Sequence, residues 1–409
     1  MTPAVNMING VLILKFLKPE STGLLNTAAL LPFYISFLHF GVLTGMNREL
    51  PFAEGAGDQA RVDSILRVTT RVSIFASIAG ALAGLLAALI SYLVGKPTLL
   101  TLGFLAAAMS ACTGPIVMQT DTGLRGLHRF TRQGWAVLGT NLIGLIASGL
   151  IPLLGAGGAI CRILVQDVGA ILLRVRSGVR IWGGSFDFVE ARRLATIGVP
   201  FLMFSSLAGV MMVVDRTVVA MLMTPKEVGE LALSSVIVNS MTFVPQSLNL
   251  ILFPKIARDF GQHGSSRRLR RFLWISLLFN LATILPISAV AYFSIGPLVE
   301  RWFPSYASGV PAAHVACMTC VFWVYLGAGM IMGVLKRMSL YLGMLIAVVL
   351  IIAVATAVLI HLGYGILGAA WARWFGTGLM CIFSITYAWY LTSFESEGTA
   401  AVNPVRGPA

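Results

Sequence analysis

The feature that most constrains this chain is a series of long apolar runs, each close to the length that an α-helix needs to cross a membrane. A helix rises ~1.5 Å per residue, so ~20 apolar residues span the ~30 Å hydrocarbon core of a bilayer. Only 11% of the 409 residues are charged, whereas a soluble domain has about a quarter. We therefore predict an all-α polytopic membrane protein with about twelve transmembrane helices, at residues 3–17, 22–46, 69–94, 98–119, 134–154, 156–174, 194–214, 228–253, 271–292, 312–334, 338–360 and 364–392.

The first of these runs is an exception because it is short, with 15 residues from Pro3 to Leu17. At helical rise it covers roughly 22 Å, less than the ~30 Å core. We expect an in-frame upstream extension to supply a basic lead and to complete this helix. The run is not interpreted as a signal peptide, because no Lys or Arg precedes it and no small-residue cleavage motif follows it.

The distribution of Lys and Arg predicts the orientation. Of the 29 basic residues, 20 fall in or beside the even-numbered connections between predicted spans. The odd-numbered connections hold six, namely Lys15, Lys18, Lys96, Arg216, Lys226 and Arg301. Cytoplasmic loops carry the excess of basic residues in membrane proteins. The even connections are therefore predicted to be cytoplasmic, with both termini inside a bacterial inner membrane.

Charge and cysteine content argue against several classes of function. The net charge of +13 lies mainly in the connections, so it orients the chain and we expect no nucleic-acid partner. Cys317 and Cys320 have metal-like spacing, but no second Cys or His pair accompanies them, so we expect no metal site. The sequence shows no P-loop and no paired catalytic carboxylates, and the connections are too short for a catalytic domain. We therefore expect neither an enzyme nor a bound cofactor.

Two matches within the sequence indicate a duplication. Residues 19–23 read Pro-Glu-Ser-Thr-Gly and residues 225–229 read Pro-Lys-Glu-Val-Gly, and each segment opens a predicted span. Residues 157–162 read Gly-Gly-Ala-Ile-Cys-Arg and residues 368–373 read Gly-Ala-Ala-Trp-Ala-Arg. The two offsets agree within five residues and are close to half of the chain. An even number of spans in each half makes the two repeats parallel.

The same stretches carry a resemblance to a known family. The segment Lys18–Asp58 begins with the Pro-Glu-x-x-Gly motif and ends with Gly-Val-Leu-Thr-Gly-Met-Asn-Arg-Glu-Leu-Pro-Phe-Ala-Glu-Gly-Ala-Gly-Asp. Gly198-Val-Pro200, Val214-Asp215-Arg216 and residues 253–257 (Phe-Pro-Lys-Ile-Ala) add to it. The chain resembles the polysaccharide-exporter branch of the multidrug/oligosaccharidyl-lipid/polysaccharide (MOP) exporter superfamily over its whole length.

This resemblance implies a V-shaped pair of six-helix bundles that works by alternating access. We expect an N-terminal lobe at residues 1–180, a C-terminal lobe at 181–393 and a cytoplasmic tail at 394–409. It also implies that the substrate is an undecaprenyl-pyrophosphate-linked oligosaccharide, such as an O-antigen, capsule or exopolysaccharide repeat unit. Membrane lipids and polysaccharide assembly proteins are the further partners that it implies.

Two arginines lie at membrane depth, where charge costs at least ~2.5–3.5 kcal/mol and therefore points to function. Arg162 and Arg373 occupy equivalent positions of the second repeated motif. One interpretation is that each is a basic side chain that snorkels to the headgroups. The alternative is a paired basic site that binds pyrophosphate through bidentate hydrogen bonds. Trp371 and Trp374 flank Arg373. They are predicted either to stack on sugar rings or to pack in the core.

Three other residues complete the candidate sites. Arg48, in the exit of the second predicted span, is a further candidate for substrate binding. Asp167 is predicted either to form a structural ion pair with another span or to carry a coupling proton or Na⁺. Five residues, or about 140° of helix, separate it from Arg162, so the two are predicted to face different sides. His39 is predicted to be a hydrogen-bonded packing residue or, alternatively, a proton relay.

Two other functions remain open. A cation-coupled drug exporter of the same fold requires acidic residues in its cavity, and Asp167 is the one deep acid that the predicted spans provide. A membrane-embedded polysaccharide polymerase or glycosyltransferase requires a long periplasmic loop with catalytic residues, which this sequence lacks. A lipid-linked oligosaccharide flippase is the function that the sequence favours.

Overall fold

The computed structural model describes residues 2–176, 186–242, 256, 266–335 and 338–394. The described chain is all-helical. Its α-helices are α1 Thr2–Phe16, α2 Pro19–Ile35, α3 Val42–Gly55, α4 Gln59–Leu93, α5 Thr98–Gly126, α6 Phe130–Ala147, α7 Ile151–Leu154, α8 Ala156–Val175, α9 Phe188–Met211, α10 Val214–Leu222, α11 Pro225–Met241, α12 Ser266–Trp302, α13 Val310–Val321, α14 Tyr325–Val334, α15 Met338–His361 and α16 Gly365–Phe394. Short 3-10 segments link several of them, including Ser36–His39 and Phe322–Val324.

The predicted membrane spans are confirmed where the structure describes them. Ten helical stretches in these residues are long and apolar enough to cross a membrane: Pro19–His39, Gln59–Leu93, Thr98–Gly126, Phe130–Leu154, Ala156–Val175, Phe188–Met211, Leu269–Trp302, Pro304–Gly329, Ser339–His361 and Gly365–Ser393. Two predicted spans remain. The one at 3–17 corresponds to α1, which has 15 residues and is shorter than these ten stretches, and part of the one at 228–253 lies outside the described residues. The chain is a multi-pass membrane protein.

Local chemistry explains where these helices begin and end. Asp58 caps the start of α4 by accepting a hydrogen bond from the Arg61 backbone N–H at 3.0 Å. Asp187 does the same for α9, accepting from the Val189 N–H at 2.9 Å. Such caps satisfy backbone donors that have no partner within the helix. Between α4 and α5, Gly95 has a φ of +70°, a conformation that favours glycine, and the chain can therefore turn sharply there.

The chain divides into two compact units, residues 1–232 and 233–409. The lobe boundary predicted at 180/181 lies outside the described residues and stays a prediction. In the first unit, α3, α4 and α9 share an apolar core that includes Met46, Leu50, Ile65 and Leu194, all fully buried. In the second unit, α13 and α16 pack through Ala312, Val315 and Ala370.

Glycines allow several helices of the first unit to touch backbone to backbone. A Cβ added to Gly198 of α9 would lie 1.9 Å from the Gly41 carbonyl oxygen, just before α3 begins. A Cβ on Gly45 of α3 would lie 2.1 Å from the Leu194 carbonyl oxygen. Small residues of this kind are typical of helix contacts in membranes, where association depends on close packing because lipid is as apolar as the side chains.

Candidate functional site

Arg162 and Asp167 belong to one polar cluster in the first unit. The Ser110 hydroxyl of α5 donates to Asp167 Oδ2 at 2.5 Å, so Asp167 is bonded to another span. Arg162 donates from Nη1 to Gln166 Oε1 at 3.0 Å, and its buried Nε has no hydrogen-bond partner among the described residues. Arg162 also lies close enough to Asp167 to attract it electrostatically. The prediction that the two face different sides stays a prediction, since Arg162 bonds Gln166 of its own helix whereas Asp167 bonds Ser110 of α5.

Arg373 lies in the second unit, on α16, and is 6% exposed. It is close enough to Cys320 and Tyr325, both buried, to interact with them electrostatically. The three spans Pro304–Gly329, Ser339–His361 and Gly365–Ser393 contain no other Asp, Glu, Lys or Arg. The guanidinium is therefore a buried cation in an otherwise uncharged region of these spans.

Aromatic side chains surround the position next to Arg373. The rings of Trp371 and Trp374 are 5.6 Å apart in an edge-to-face arrangement, and Trp374 contacts Phe322 in the same way at 5.4 Å. Trp371 is 40% exposed, whereas Trp374 is partly buried and packs against the α13–α16 core. Edge-to-face pairs hold aromatic rings in defined orientations. Arg373, Trp371 and Trp374 are thus brought together on one helix, as the sequence predicts.

Trp374 forms one wall of an open apolar groove of about 390 Å³. Apolar and aromatic side chains of α12, α13, α16 and the 3-10 segment Phe322–Val324 line this groove: Leu285, Ala289, Tyr292, Phe293, Met318, Val321, Phe322 and Trp374. Its remaining lining residue, Ser288, donates its hydroxyl hydrogen to the Cys317 carbonyl. The groove lining carries no charge, so its surface suits a hydrocarbon chain.

The other two candidates lie in the α2–α3 segment of the first unit. His39 is 2% exposed, and its Nδ1 accepts a hydrogen bond from the Gly41 N–H at 3.2 Å. Arg48 is exposed on α3. Within the described part of the chain, neither makes a hydrogen bond or ion pair with Arg162 or Asp167. Arg162 and Arg373 lie in different units, so the pairing predicted from the repeat stays a prediction.

The sequence did not predict a buried ion pair between Asp121 of α5 and Arg174 of α8. Arg174 donates from Nε to Oδ1 at 3.0 Å and from Nη2 to Oδ2 at 2.9 Å, a bidentate geometry. It also donates from Nη1 to Thr140 of α6 at 3.1 Å. Arg174 was counted among the basic residues that flank a cytoplasmic connection. The feature of the sequence that could have predicted this ion pair is an acid, Asp121, near the end of a neighbouring span.

Comparison with known proteins shows the fold. No protein-family model matches the sequence, and no curated relative matches it. A multidrug resistance MATE family transporter of the MOP superfamily, in an inward-facing conformation, is 14% identical over 98% of this chain and 96% of its own, with a TM-score of 0.78. Lipid II flippase MurJ, in an inward closed conformation, is 13% identical over 97% and 88%, with a TM-score of 0.73. The MATE transporter ClbM in complex with Rb⁺ is 15% identical over 96% and 90%, with a TM-score of 0.61. At these identities the similarity extends to the fold, which is that of membrane transporters.

Proposed function

We propose that this chain is a flippase that moves an undecaprenyl-pyrophosphate-linked oligosaccharide across the bacterial inner membrane by alternating access. The observation that carries the proposal is the adjacency, on α16, of the buried cation Arg373 and the wall of the apolar groove, Trp374. A lipid-linked pyrophosphate has the matching chemistry, with an anionic head and a long apolar chain. The structural similarity to transporters and to a lipid II flippase supports the general class.

The two parts of the substrate have separate binding chemistry in this proposal. A guanidinium binds phosphate oxygens through two parallel hydrogen bonds, and such bonds are stronger where water is excluded. The groove accepts the apolar chain, because its lining has no charge and its serine is already hydrogen-bonded. Trp371 is available for a sugar ring, since it is partly exposed beside Trp374. Arg162 is the equivalent cation of the first unit, and Arg48 provides a further positive charge at an exposed position.

Two acids of the first unit, Asp121 and Asp167, each have an arginine beside them, which favours an anionic substrate over a cationic drug at these positions. Asp121 is held by Arg174 in a bidentate pair, and Asp167 has Arg162 close by. A cation that approaches either acid meets an arginine already in place. In this proposal the protein is not an enzyme, works with polysaccharide assembly proteins and has both termini in the cytoplasm.

Reconstituted vesicles test the proposal directly. The purified protein is placed in vesicles with a fluorescent undecaprenyl-pyrophosphate-linked oligosaccharide, and an enzyme added outside modifies the glycans that reach the outer leaflet. We expect flipping that protein-free vesicles lack. Arg373→Ala and Arg162→Ala should each reduce the rate at least about tenfold, because a charge-assisted hydrogen bond contributes roughly 1.5–3 kcal/mol. Arg→Lys should restore only part of the rate, since lysine lacks the fork.

A matched control is Arg301→Ala, which removes an exposed arginine at the end of α12. Its flipping rate should equal that of the unchanged protein. If the Arg162→Ala/Arg373→Ala double variant flips at full rate, the arginines only anchor the helices and the binding site lies elsewhere. If the unchanged protein flips no glycan, the proposed function itself is wrong.

A cation-coupled drug exporter is the second candidate, favoured by the hydrogen-bonded Asp167 and by the similarity to MATE transporters. One of these, ClbM, was determined with bound Rb⁺. This function predicts efflux of a cationic dye such as ethidium from cells that produce the protein. Asp167→Asn should then abolish efflux at unchanged abundance. The flippase proposal expects no dye efflux from either protein.

A further inference from the structure

Two arginines lie in the first turns of α12, at the end that the basic residues predict to be cytoplasmic. Arg270 is partly buried and donates from Nη1 to the Ser393 hydroxyl of α16 at 3.5 Å, whereas Arg271 is exposed. Two further arginines closely precede them in the sequence. Within the described part of the second unit the one acid is Glu300, which lies at the opposite end of α12. Clusters of basic residues immediately outside a membrane span attract anionic lipid headgroups.

Two tryptophans indicate that these arginines lie at the level of the lipid headgroups. Trp274 is one turn after Arg270 on α12, and Trp389 is one turn before Ser393 on α16, and both side chains are exposed. Tryptophan is enriched where the hydrocarbon core meets water, because its ring is apolar and its N–H is polar. Arg270 and Arg271 precede this boundary on α12, so they lie beside the phosphate groups of that leaflet.

An uncharged face of α12 connects the arginines to the apolar groove. The residues that follow Arg271 at helical spacing lie on the same side of α12, within about 40° of it, and all are exposed and apolar: Leu278, Ala282, Leu285 and Ala289. Leu285 and Ala289 also line the groove. The face that begins with Arg271 therefore continues into the groove without meeting a charge.

The length of this face selects the kind of lipid that fits it. Roughly 21 Å of helix separate Leu285, where the groove begins on α12, from Arg271. One leaflet of the ~30 Å hydrocarbon core is only ~15 Å deep. A phospholipid whose phosphate binds Arg271 has acyl chains that fill one leaflet, so they end short of the groove. A polyprenyl chain that is longer than one leaflet reaches it.

We propose that Arg270 and Arg271 dock the pyrophosphate of the lipid-linked substrate in the cytoplasmic leaflet, while its polyprenyl chain lies along α12 and enters the groove. This inference rests on the proposed function and assigns the site at which transport begins. Guanidinium groups bind phosphate oxygens through paired hydrogen bonds. Arg373 follows the same logic at the other site, because it is next to Trp374 of the groove wall. The chain therefore stays in the groove while the head leaves the docking arginines for Arg373.

Photo-crosslinking tests the docking site without relying on transport. The full chain carries Leu278→p-benzoylphenylalanine and is placed in nanodiscs that contain undecaprenyl pyrophosphate and phosphatidylglycerol. We expect adducts of undecaprenyl pyrophosphate in excess of its share of the lipid. Arg270→Gln/Arg271→Gln should remove this excess. The matched control is Arg129→Gln/Arg132→Gln, which removes two exposed arginines from the start of α6 and should keep the excess.

Two results of the crosslinking would overturn the proposal. One is an excess of undecaprenyl pyrophosphate adducts that survives Arg270→Gln/Arg271→Gln. The other is an equal excess of phosphatidylglycerol adducts that this variant abolishes, because the arginines would then bind any anionic lipid. If the double variant does not fold, Arg271→Gln alone changes an exposed side chain and gives the same test.

The flipping assay separates this inference from the proposed function. Arg270→Gln/Arg271→Gln should raise the substrate density that gives the half-maximal rate roughly thirtyfold, with a smaller change in the maximal rate, because two arginines near an anionic headgroup are lost. If the unchanged protein flips glycan and the double variant has the same half-maximal density, the docking site is wrong although the chain is a flippase. If the unchanged protein flips nothing, the proposed function is wrong, and the crosslinking still supports or overturns the docking site.

Discussion

At the scale of single residues, the charges inside the spans are held by specific partners rather than left to the lipid. Arg174 is 3% exposed and uses three of its nitrogens, two on Asp121 and one on Thr140 and the Ala170 carbonyl. Removal of one partner from a buried ion pair leaves an uncompensated charge, which costs about 3–5 kcal/mol. This pair therefore joins α5, α6 and α8 in one arrangement.

We predict that Asp121→Ala and Arg174→Ala each lower the thermal unfolding temperature and the amount of protein in the membrane. The Asp121→Ala/Arg174→Ala double variant should be more stable than the sum of the two losses predicts, because no unpaired charge remains. Thermal unfolding in detergent measures all four proteins. The control is Glu190→Ala. The Glu190 Oε2 atom lies 3.6 Å from Nη1 of Arg193, whose side chain is 38% exposed, so loss of this pair should have little effect. Additive losses in the cycle would mean that the pair contributes no coupling energy.

At the scale of elements, the contact of α3 with α9 depends on glycine as much as on the apolar core. The Gly198 position faces the Gly41 carbonyl and the Gly45 backbone nitrogen, and backbone atoms cannot rotate away as a flexible side chain can. The same chain offers glycines in open helix positions, so the effect of packing can be separated from helix propensity.

Gly198→Ala should destabilise the protein by about 1–3 kcal/mol, which is the usual cost of overpacking a close contact. Gly134→Ala in α6, where a Cβ meets nothing within 4 Å, should be neutral or stabilising by up to about 1 kcal/mol, since alanine favours helix. Unfolding in detergent measures both. Equal stability of the two variants would show that α3 and α9 are not in backbone contact.

At the scale of the whole molecule, the orientation in the membrane follows from the basic residues and stays a prediction. In a variant without native cysteines, Gln59→Cys and Arg129→Cys should react only with reagents that enter the cytoplasm. Pro97→Cys should react with an impermeant maleimide added outside intact cells. All three positions are exposed at helix ends. Labelling of Arg129→Cys from outside would reverse the assignment of every connection.

Much of the fold follows from the sequence because the requirement for crossing a bilayer is local. A run of ~20 apolar residues that crosses the bilayer must satisfy its own backbone N–H and C=O groups, because lipid offers them no hydrogen bonds. Such a run therefore forms a helix whatever its neighbours are. Residues 338–360, for example, contain no charge, and the helix Met338–His361 covers them. The breaks within the helices are predicted less well from the sequence. The predicted span at 22–46 is two helices separated by a 3-10 turn and by two residues of positive φ, Phe40 and Gly41, because hydropathy does not depend on the sign of φ.

The partners of the polar side chains were decided only by the tertiary structure. The sequence by itself selected Arg162, Asp167, Arg373 and the tryptophans, because charge and aromatic groups are conspicuous in apolar runs. It could not show that Asp167 bonds Ser110 or that Asp121 holds Arg174, since each pair joins residues more than 50 positions apart. It also detected the Pro19–Gly23 and Pro225–Gly229 motifs as a repeat without showing that they touch. Helix rotation and crossing determine such contacts, and these depend on how all the helices pack together, not on any one run of residues.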